Sequence, residues 1–236
     1  MFTFQQFKVC QENATMKVGT DGVLLGAWTP VDHQPLRILD VGTGTGLVAL
    51  MLAQRISAGI IDALEIDEPG CVDARQNFEM SPWSDRLNLH HISFQDFSEK
   101  VAVKYDLIVS NPPFFNSGLK NPCHRKAMAR HNEALNQEDL LNGVLCNLAD
   151  DGRFSLILPV ADYEAFRGKA SRAGLYESRR LLVKPTPDKP VKRVVSLWSK
   201  SFSTELVSEE MVLELSRHYY SEYYKSLTDD FYLRQK

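Results

Sequence analysis

The chain has 236 residues and a mass of 26.7 kDa, with 44% hydrophobic and 24% charged residues. Those proportions suit one sizeable globular core and exclude a wholly disordered chain. The net charge of −3 excludes global basic character, no apolar run approaches the ~18–20 residues of a membrane span, and the opening MFTFQQFKVCQENA lacks the pattern of a signal peptide.

Cys10, Cys71, Cys123 and Cys146 have neither CxxC spacing nor a His partner at zinc-ligand spacing. A reduced, cytoplasmic setting without a metal site is therefore the expectation. Charge is unevenly spread. Residues 115–135 carry four Lys/Arg against one Glu, and residues 167–193 carry nine against two acids, leaving −13 on the remainder.

In chain order, Phe2, Phe4 and Phe7 form an aromatic opening. In the KVGTDGVLLGAW that follows, Asp21 stands before Val23, Leu24, Leu25, Ala27 and Trp28, which predicts a short helix capped by Asp21. Pro30 and Pro35 bracket a connector. Residues 36–41 read as a strand, LVALMLAQR as a helix, 60–66 as a second strand, 69–79 as a helix, 87–92 as a third strand and 105–110 as a fourth. A helix over 138–148 and a fifth strand over 154–160 follow. Strands alternating with helices predict an α/β, doubly wound and mostly parallel sheet. Residues 179–184 and 192–199, joined by PTPDKP, predict an antiparallel hairpin at the sheet edge, since short connections suit antiparallel neighbours. A helical tail rich in tyrosine closes the chain, with Tyr219, Tyr220, Tyr223 and Tyr224 at helical spacing, which favours core over a stacking platform.

The segment Asp40-Val41-Gly42-Thr43-Gly44-Thr45-Gly46 sits where the first strand passes into a helix. Glycines there allow a sharp turn and close approach to a ligand, and the helix start offers free N–H groups. A dinucleotide fingerprint would need a third glycine at Leu47, and no GxxxxGK[ST] phosphate loop is present. What remains, (Asp/Glu)xGxGxG, resembles motif I of the class I S-adenosylmethionine (SAM)-dependent methyltransferases, which have a Rossmann-like fold. The resemblance implies SAM as cofactor and roles for Gly42, Gly44 and Gly46 in holding it. It further implies that Asp40 accepts from the methionine ammonium group, that Glu65 takes the ribose hydroxyls, and that Asp96 in SFQDF contacts the adenine amine. Asp67 competes with Glu65, which is preferred because it closes the apolar run.

Asn111-Pro112-Pro113-Phe114 ends the fourth strand. Adjacent prolines stop the ladder and lock the backbone, and Asn before Pro is pushed to an extended conformation. The Asn111 side-chain oxygen and the Pro112 carbonyl suit a planar amine, since each can accept one N–H and stabilise the charge that develops on nitrogen. Phe114 offers a stacking face. The tetrapeptide resembles the (Asp/Asn)-Pro-Pro-(Tyr/Phe/Trp) motif of amino-methyltransferases, which act on exocyclic or amide nitrogens without a metal.

FTFQQFKV, MKVGTDGVLLGAW, NPPFF, AMARH and YSEYYKSLTDDFYL together resemble, over essentially the whole chain, the family of bacterial tRNA adenine N6-methyltransferases that modify A37 of tRNA(Val). That resemblance implies tRNA, through its anticodon arm, as partner, with Lys17 and Thr20 covering the cofactor. Phe115, Lys120, Arg125, Lys126, Arg130 and His131 would then flank the RNA, and the basic stretch 167–193 fits the same partner. The expectation is a monomer with one globular domain: residues 1–35 as an N-terminal extension packing near the cofactor site, residues 36–236 as the methyltransferase domain with a seven-stranded sheet. Guanine N2 methylation of rRNA is the alternative, because NPPF also occurs in such enzymes. Glutamine N5 methylation of protein is disfavoured by the short segment before Asp40, and a non-catalytic SAM- or RNA-binding module by the intact tetrapeptide.

Overall fold

The computed structural model describes residues 1–113 and 135–233. Two short antiparallel strands, β1 (Phe2–Thr3) and β2 (Lys8–Val9), precede α1 (Thr20–Trp28). The chain then runs β3 (Arg37–Val41), α2 (Leu47–Arg55), β4 (Ile60–Glu65), α3 (Glu68–Glu79), β5 (Leu87–His91), α4 (Phe94–Lys100) and β6 (Tyr105–Ser110). After the second described stretch begins come α5 (Gln137–Asn147), β7 (Leu148–Pro159), α6 (Val160–Arg172), β8 (Tyr176–Lys184), β9 (Arg193–Ser199), β10 (Val207–Val212), β11 (Glu214–Ser216), β12 (Tyr219–Tyr220) and α7 (Glu222–Thr228).

The main sheet has the order β10-β8-β9-β7-β6-β3-β4-β5, and every strand in it is parallel to its fellows except β9. Its central strands are largely apolar on both faces, and the period-2 alternation divides them between two cores. Ile38, Leu107, Val109, Ile157 and Val195 pack towards α1 and α2, while Leu39, Ile108, Leu156, Leu158 and Val194 pack towards α5 and α6. The expected Rossmann-like α/β architecture is present.

Strand order turns on β3. From it the chain steps outward to β4 and β5, then returns to lay β6 against the other side of β3 and proceeds to β7. The junction of β3 and β6 is a topological switch point, where helices leave to opposite faces and open a crevice beyond the strand ends.

Four expectations are corrected. The sheet has eight strands, not seven, and the β8–β9 hairpin is not at the edge, because β10 pairs in parallel with β8. Strand β10 reads VSEEMV, too acidic for a buried strand; Glu209 and Glu210 bind Arg179 at 2.8 Å and Lys184 at 2.7 Å across the pair. The tail is not simply helical, since β10 and the β11–β12 hairpin precede the short α7. Asp21 is not the helix cap. Gly19 holds that position, and Asp21, in the first turn, accepts from Arg193 Nε at 2.7 Å. Helices α4 and α6 are elements that the sequence reading did not assign.

Candidate active site

The glycine loop is shaped from within. Gly42, Gly44 and Gly46 have φ of 73°, 57° and 82°, in the left-handed region where other residues are strained. A Cβ at Gly42 or Gly44 would meet nothing within 4 Å, so both face open space, whereas one at Gly46 would run into the Phe78 ring. Two of the three glycines thus face a void and the third serves helix packing.

Two buried carboxylates hold this loop. Asp40 Oδ2 accepts from Thr43 Oγ1 at 2.6 Å and from the Ala49 N–H at 3.2 Å, tying the loop to the first turn of α2. Burial pushes its carboxyl up to about 7, against the lowering by those two bonds. Glu65 Oε2 accepts the Gly44 N–H at 2.7 Å, and Oε1 accepts the Ile66 and Asp67 N–H groups, each at 2.8 Å. Burial raises the Glu65 carboxyl above its ordinary range, partly offset by those three donors.

The neighbouring strand tip carries Asn111, Pro112 and Pro113. Val41 and Ser110 are register partners, and Ser110 Oγ donates to the Val41 carbonyl at 2.9 Å. Asn111 therefore stands beside Gly42. Its Nδ2 lies 3.9 Å from where a Cβ at Gly22 would be, so the glycine in α1 leaves room for the amide.

Both tips open into one cavity of about 480 Å³, within the range of small-molecule sites. The glycine loop, Glu65, Asp67, Asn111, Pro112 and Pro113 line it, with Ile92, Phe94 and Leu135 as apolar walls. Lys17 and Thr20 line it too. The segment that brings them there is pinned by two residues of α3 that sequence reasoning missed. Asp73, fully buried, accepts from the N–H groups of Asn13 at 2.9 Å and Ala14 at 2.7 Å, and from Asn13 Nδ2 at 2.8 Å. Asn77 brackets Cys10 through its N–H and carbonyl, and donates to the Thr45 carbonyl at 2.8 Å, joining this segment to the glycine loop. Their four-residue spacing on one helix face was the available signal, although charged and amide residues there read equally as solvated.

Asp96 is not brought to the cavity. Ser93 caps α4 by accepting the Asp96 N–H at 3.1 Å, and the Asp96 carboxylate lies 3.9 Å from Lys100 Nζ one turn on. Ser93, Phe94 and Gln95 line the cavity in its place. The basic stretch 167–193 is largely neutralised. Arg167, Lys169, Arg179, Lys184 and Arg193 pair with acids, and Arg180 donates to Tyr163 and Ser208. Glu138, Glu209, Glu210 and Asp21, four of those partners, come from the acidic remainder of the chain. Phe114, Phe115, Lys120, Arg125, Lys126, Arg130 and His131, together with Cys123, lie outside the described residues.

Residues 22–147, more than half of the chain, match the family model described as methyltransferase small domain. This chain belongs to that family. A relative of this methyltransferase from Bacteroides fragilis is 49% identical over 99% of the chain and 98% of its own length, and one from Flavobacterium psychrophilum is 45% identical over 99% and 100%. Both are named tRNA1(Val) (adenine(37)-N6)-methyltransferase. The solved structure of a predicted O-methyltransferase from Agrobacterium tumefaciens superposes with a TM-score of 0.68 over 89% of the chain and 96% of its own, at 18% identity, which speaks for the fold alone.

The methyl donor of the methyltransferase is SAM. The cavity fits it: two glycines open onto the void, the buried carboxylates Asp40 and Glu65 are among its lining residues, and apolar walls suit a flat purine. Among the described residues no group of His, Cys, Asp and Glu could hold a metal, and no helix is long and apolar enough to cross a membrane.

Proposed function

We propose that this chain methylates the exocyclic N6 of an adenine in tRNA, at position 37 of tRNA(Val), within its anticodon arm. The observation that carries the reading is the switch-point cavity, in which the glycine loop and Asn111-Pro112-Pro113 share one wall system. The names of the full-length relatives support the substrate.

SAM supplies a methyl group on a sulfonium, which leaves readily and needs no activation by the protein. The remaining task is to hold a poor nucleophile in line. Asn111 Oδ1 and the Pro112 carbonyl each accept one N–H of the adenine amine. As that nitrogen pyramidalises and its lone pair bonds the methyl carbon, the carbon–sulfur bond would break to leave a neutral thioether. The two fixed acceptors stabilise the growing positive charge on nitrogen without reorganising, and the surplus N–H proton then passes to water. Asp40 and Glu65 keep the glycine loop in shape while serving the ammonium and the ribose, and residues 1–35 act as an extension over the cofactor. The decisive experiment is mass-spectrometric nucleoside analysis of tRNA after incubation with the protein and isotopically labelled SAM. N6-methyladenosine at position 37 supports the reading; N2-methylguanosine or no nucleoside product overturns it.

Two further results are expected. An unfolded aspartate has lost its proton by about pH 4, whereas folded Asp40 retains it to about pH 7. Its contribution to stability is therefore present in acid and fades as pH rises between those values. SAM affinity moves oppositely, because the ammonium prefers the carboxylate. Calorimetry between about pH 5.5 and 7.5 should show affinity rising roughly three- to tenfold, and Asp40→Asn should flatten that rise. An equal rise in the variant would remove Asp40 from the ammonium site. Asp73→Ala, which frees Asn13 and Ala14, should raise the SAM KM about tenfold with kcat within about twofold. A fall in kcat with unchanged KM would contradict a strap that acts only on the cofactor.

A further inference from the structure

The catalytic rim continues well past the cavity. Because β9 alone is antiparallel, the β8–β9 connection and the β11–β12 hairpin follow the carboxyl ends of β8 and β10 and emerge at the same end of the sheet as the glycine loop and Asn111. The two projections are joined, since the Leu213 and Glu214 N–H groups donate to the Lys184 and Pro185 carbonyls at 2.8 and 3.0 Å. Three to four strand spacings separate them from β6, or ~14–19 Å.

The hairpin exposes an unusual combination. Tyr219 is 55% exposed, and Lys225 Nζ lies 4.6 Å from its ring centroid. Tyr220 anchors the hairpin, its centroid 5.0 Å from that of buried Tyr224. The turn holds Arg217 and His218, both exposed and in contact with each other at 3.3 Å. Beside it, the β8–β9 connection carries exposed Lys189 and Lys192. Lys189 meets only its neighbour Asp188, at 3.9 Å, and that carboxylate already accepts from Thr186 Oγ1 at 2.6 Å. Glu214 and Glu222 are the nearby acids, and Glu222 holds Lys225 at 2.8 Å. Elsewhere in residues 167–193 most cations are paired, so Lys189 and Lys192 stand out as charge left at the rim.

We infer that this rim, Lys189 and Lys192 with Arg217, Tyr219 and Lys225, is a second RNA-docking platform that grips the substrate's sugar-phosphate backbone and stacks one base, away from the methylated base. The inference rests on the tRNA reading above. Cations around an exposed ring suit phosphates and a nucleobase, whereas the hairpin's other exposed apolar residues, Leu215 and Tyr220, are too few for the contiguous apolar core of an interface between copies. Across that span of ~14–19 Å the platform meets the RNA several nucleotides from the base in the cavity.

Phosphate contacts and stacking leave different marks, so the test uses both. Binding of unmodified tRNA is measured against KCl concentration for the wild type, Lys189→Ala/Lys192→Ala and Tyr219→Ala, with thermal melts and SAM affinity as controls. The double variant should flatten the log–log salt slope by about 1–2. Tyr219→Ala should weaken binding roughly tenfold with the slope unchanged. SAM affinity should be unaltered in both. Wild-type slope and affinity in both variants would overturn the platform while leaving the tRNA reading intact. A change of oligomeric state in Tyr219→Ala with unchanged tRNA affinity would also overturn it, in favour of a copy-to-copy contact. A wild type that neither binds nor methylates tRNA overturns both.

Discussion

Asn111→Ala is expected to lower turnover by about 10²–10³-fold, the loss seen when one preorganised polar partner of a transition state is removed, while SAM affinity stays within a few-fold. The separation follows from the geometry. Asn111 stands on the β6 side of the crevice, and the loop that holds the cofactor is tied by Asp40 and Glu65 from β3 and β4. Removing the amide leaves those ties and the Ser110–Val41 hydrogen bond in place. Asn111→Asp keeps an acceptor oxygen at the same position and should recover part of the rate. Single-turnover methylation of tRNA with saturating SAM, alongside calorimetric SAM binding, reads both quantities. Turnover within about threefold of wild type in Asn111→Ala would exclude the amide from the transition state.

Glu65→Ala should act on the other substrate. The variant deprives the Gly44, Ile66 and Asp67 N–H groups of their acceptor at a site where the side chain is 9% exposed. Leaving buried donors unpaired costs about 1–3 kcal/mol each where water does not replace the partner. We expect SAM affinity to fall about 30- to 100-fold and folding stability to drop by about 2–4 kcal/mol. Glu65→Gln is the sharper probe, because an amide can still accept from Ile66 and Asp67 but then presents its own N–H₂ to the Gly44 N–H. It should retain most of the stability and still bind SAM weakly. If both variants bind SAM within about threefold of wild type, the ribose contact and the support of the loop lie elsewhere, with Asp67 the first candidate.

The local patterns in the chain determined much of this molecule. Mostly apolar runs at 36–41, 60–66 and 105–110 dictate strands buried on both faces, since only a covered parallel sheet hides such runs. Three alternating glycines dictate a left-handed turn, which appears at φ between 57° and 82°. Two prolines after Asn111 dictate where β6 stops. Each is a property of a few consecutive residues, so sequence suffices.

Whatever depends on which distant segments meet was decided only by the tertiary structure. Strand order places β6 beside β3 and so brings Gly42 next to Asn111 across 69 positions of sequence, as the Ser110–Val41 bond records. Ion pairing decided which basic residues remain at the surface, since Arg179 and Lys184 met Glu209 and Glu210 of a strand too acidic to be read as one. The packing of the β5–α4 turn decided that Ser93, Phe94 and Gln95 line the cavity and Asp96 does not. Asp73 and Asn77 became cofactor-side residues only because the first fourteen residues fold back over α3. Backbone conformation is a short-range preference of each residue, whereas burial and charge compensation belong to pairs that the sequence keeps apart and only folding joins.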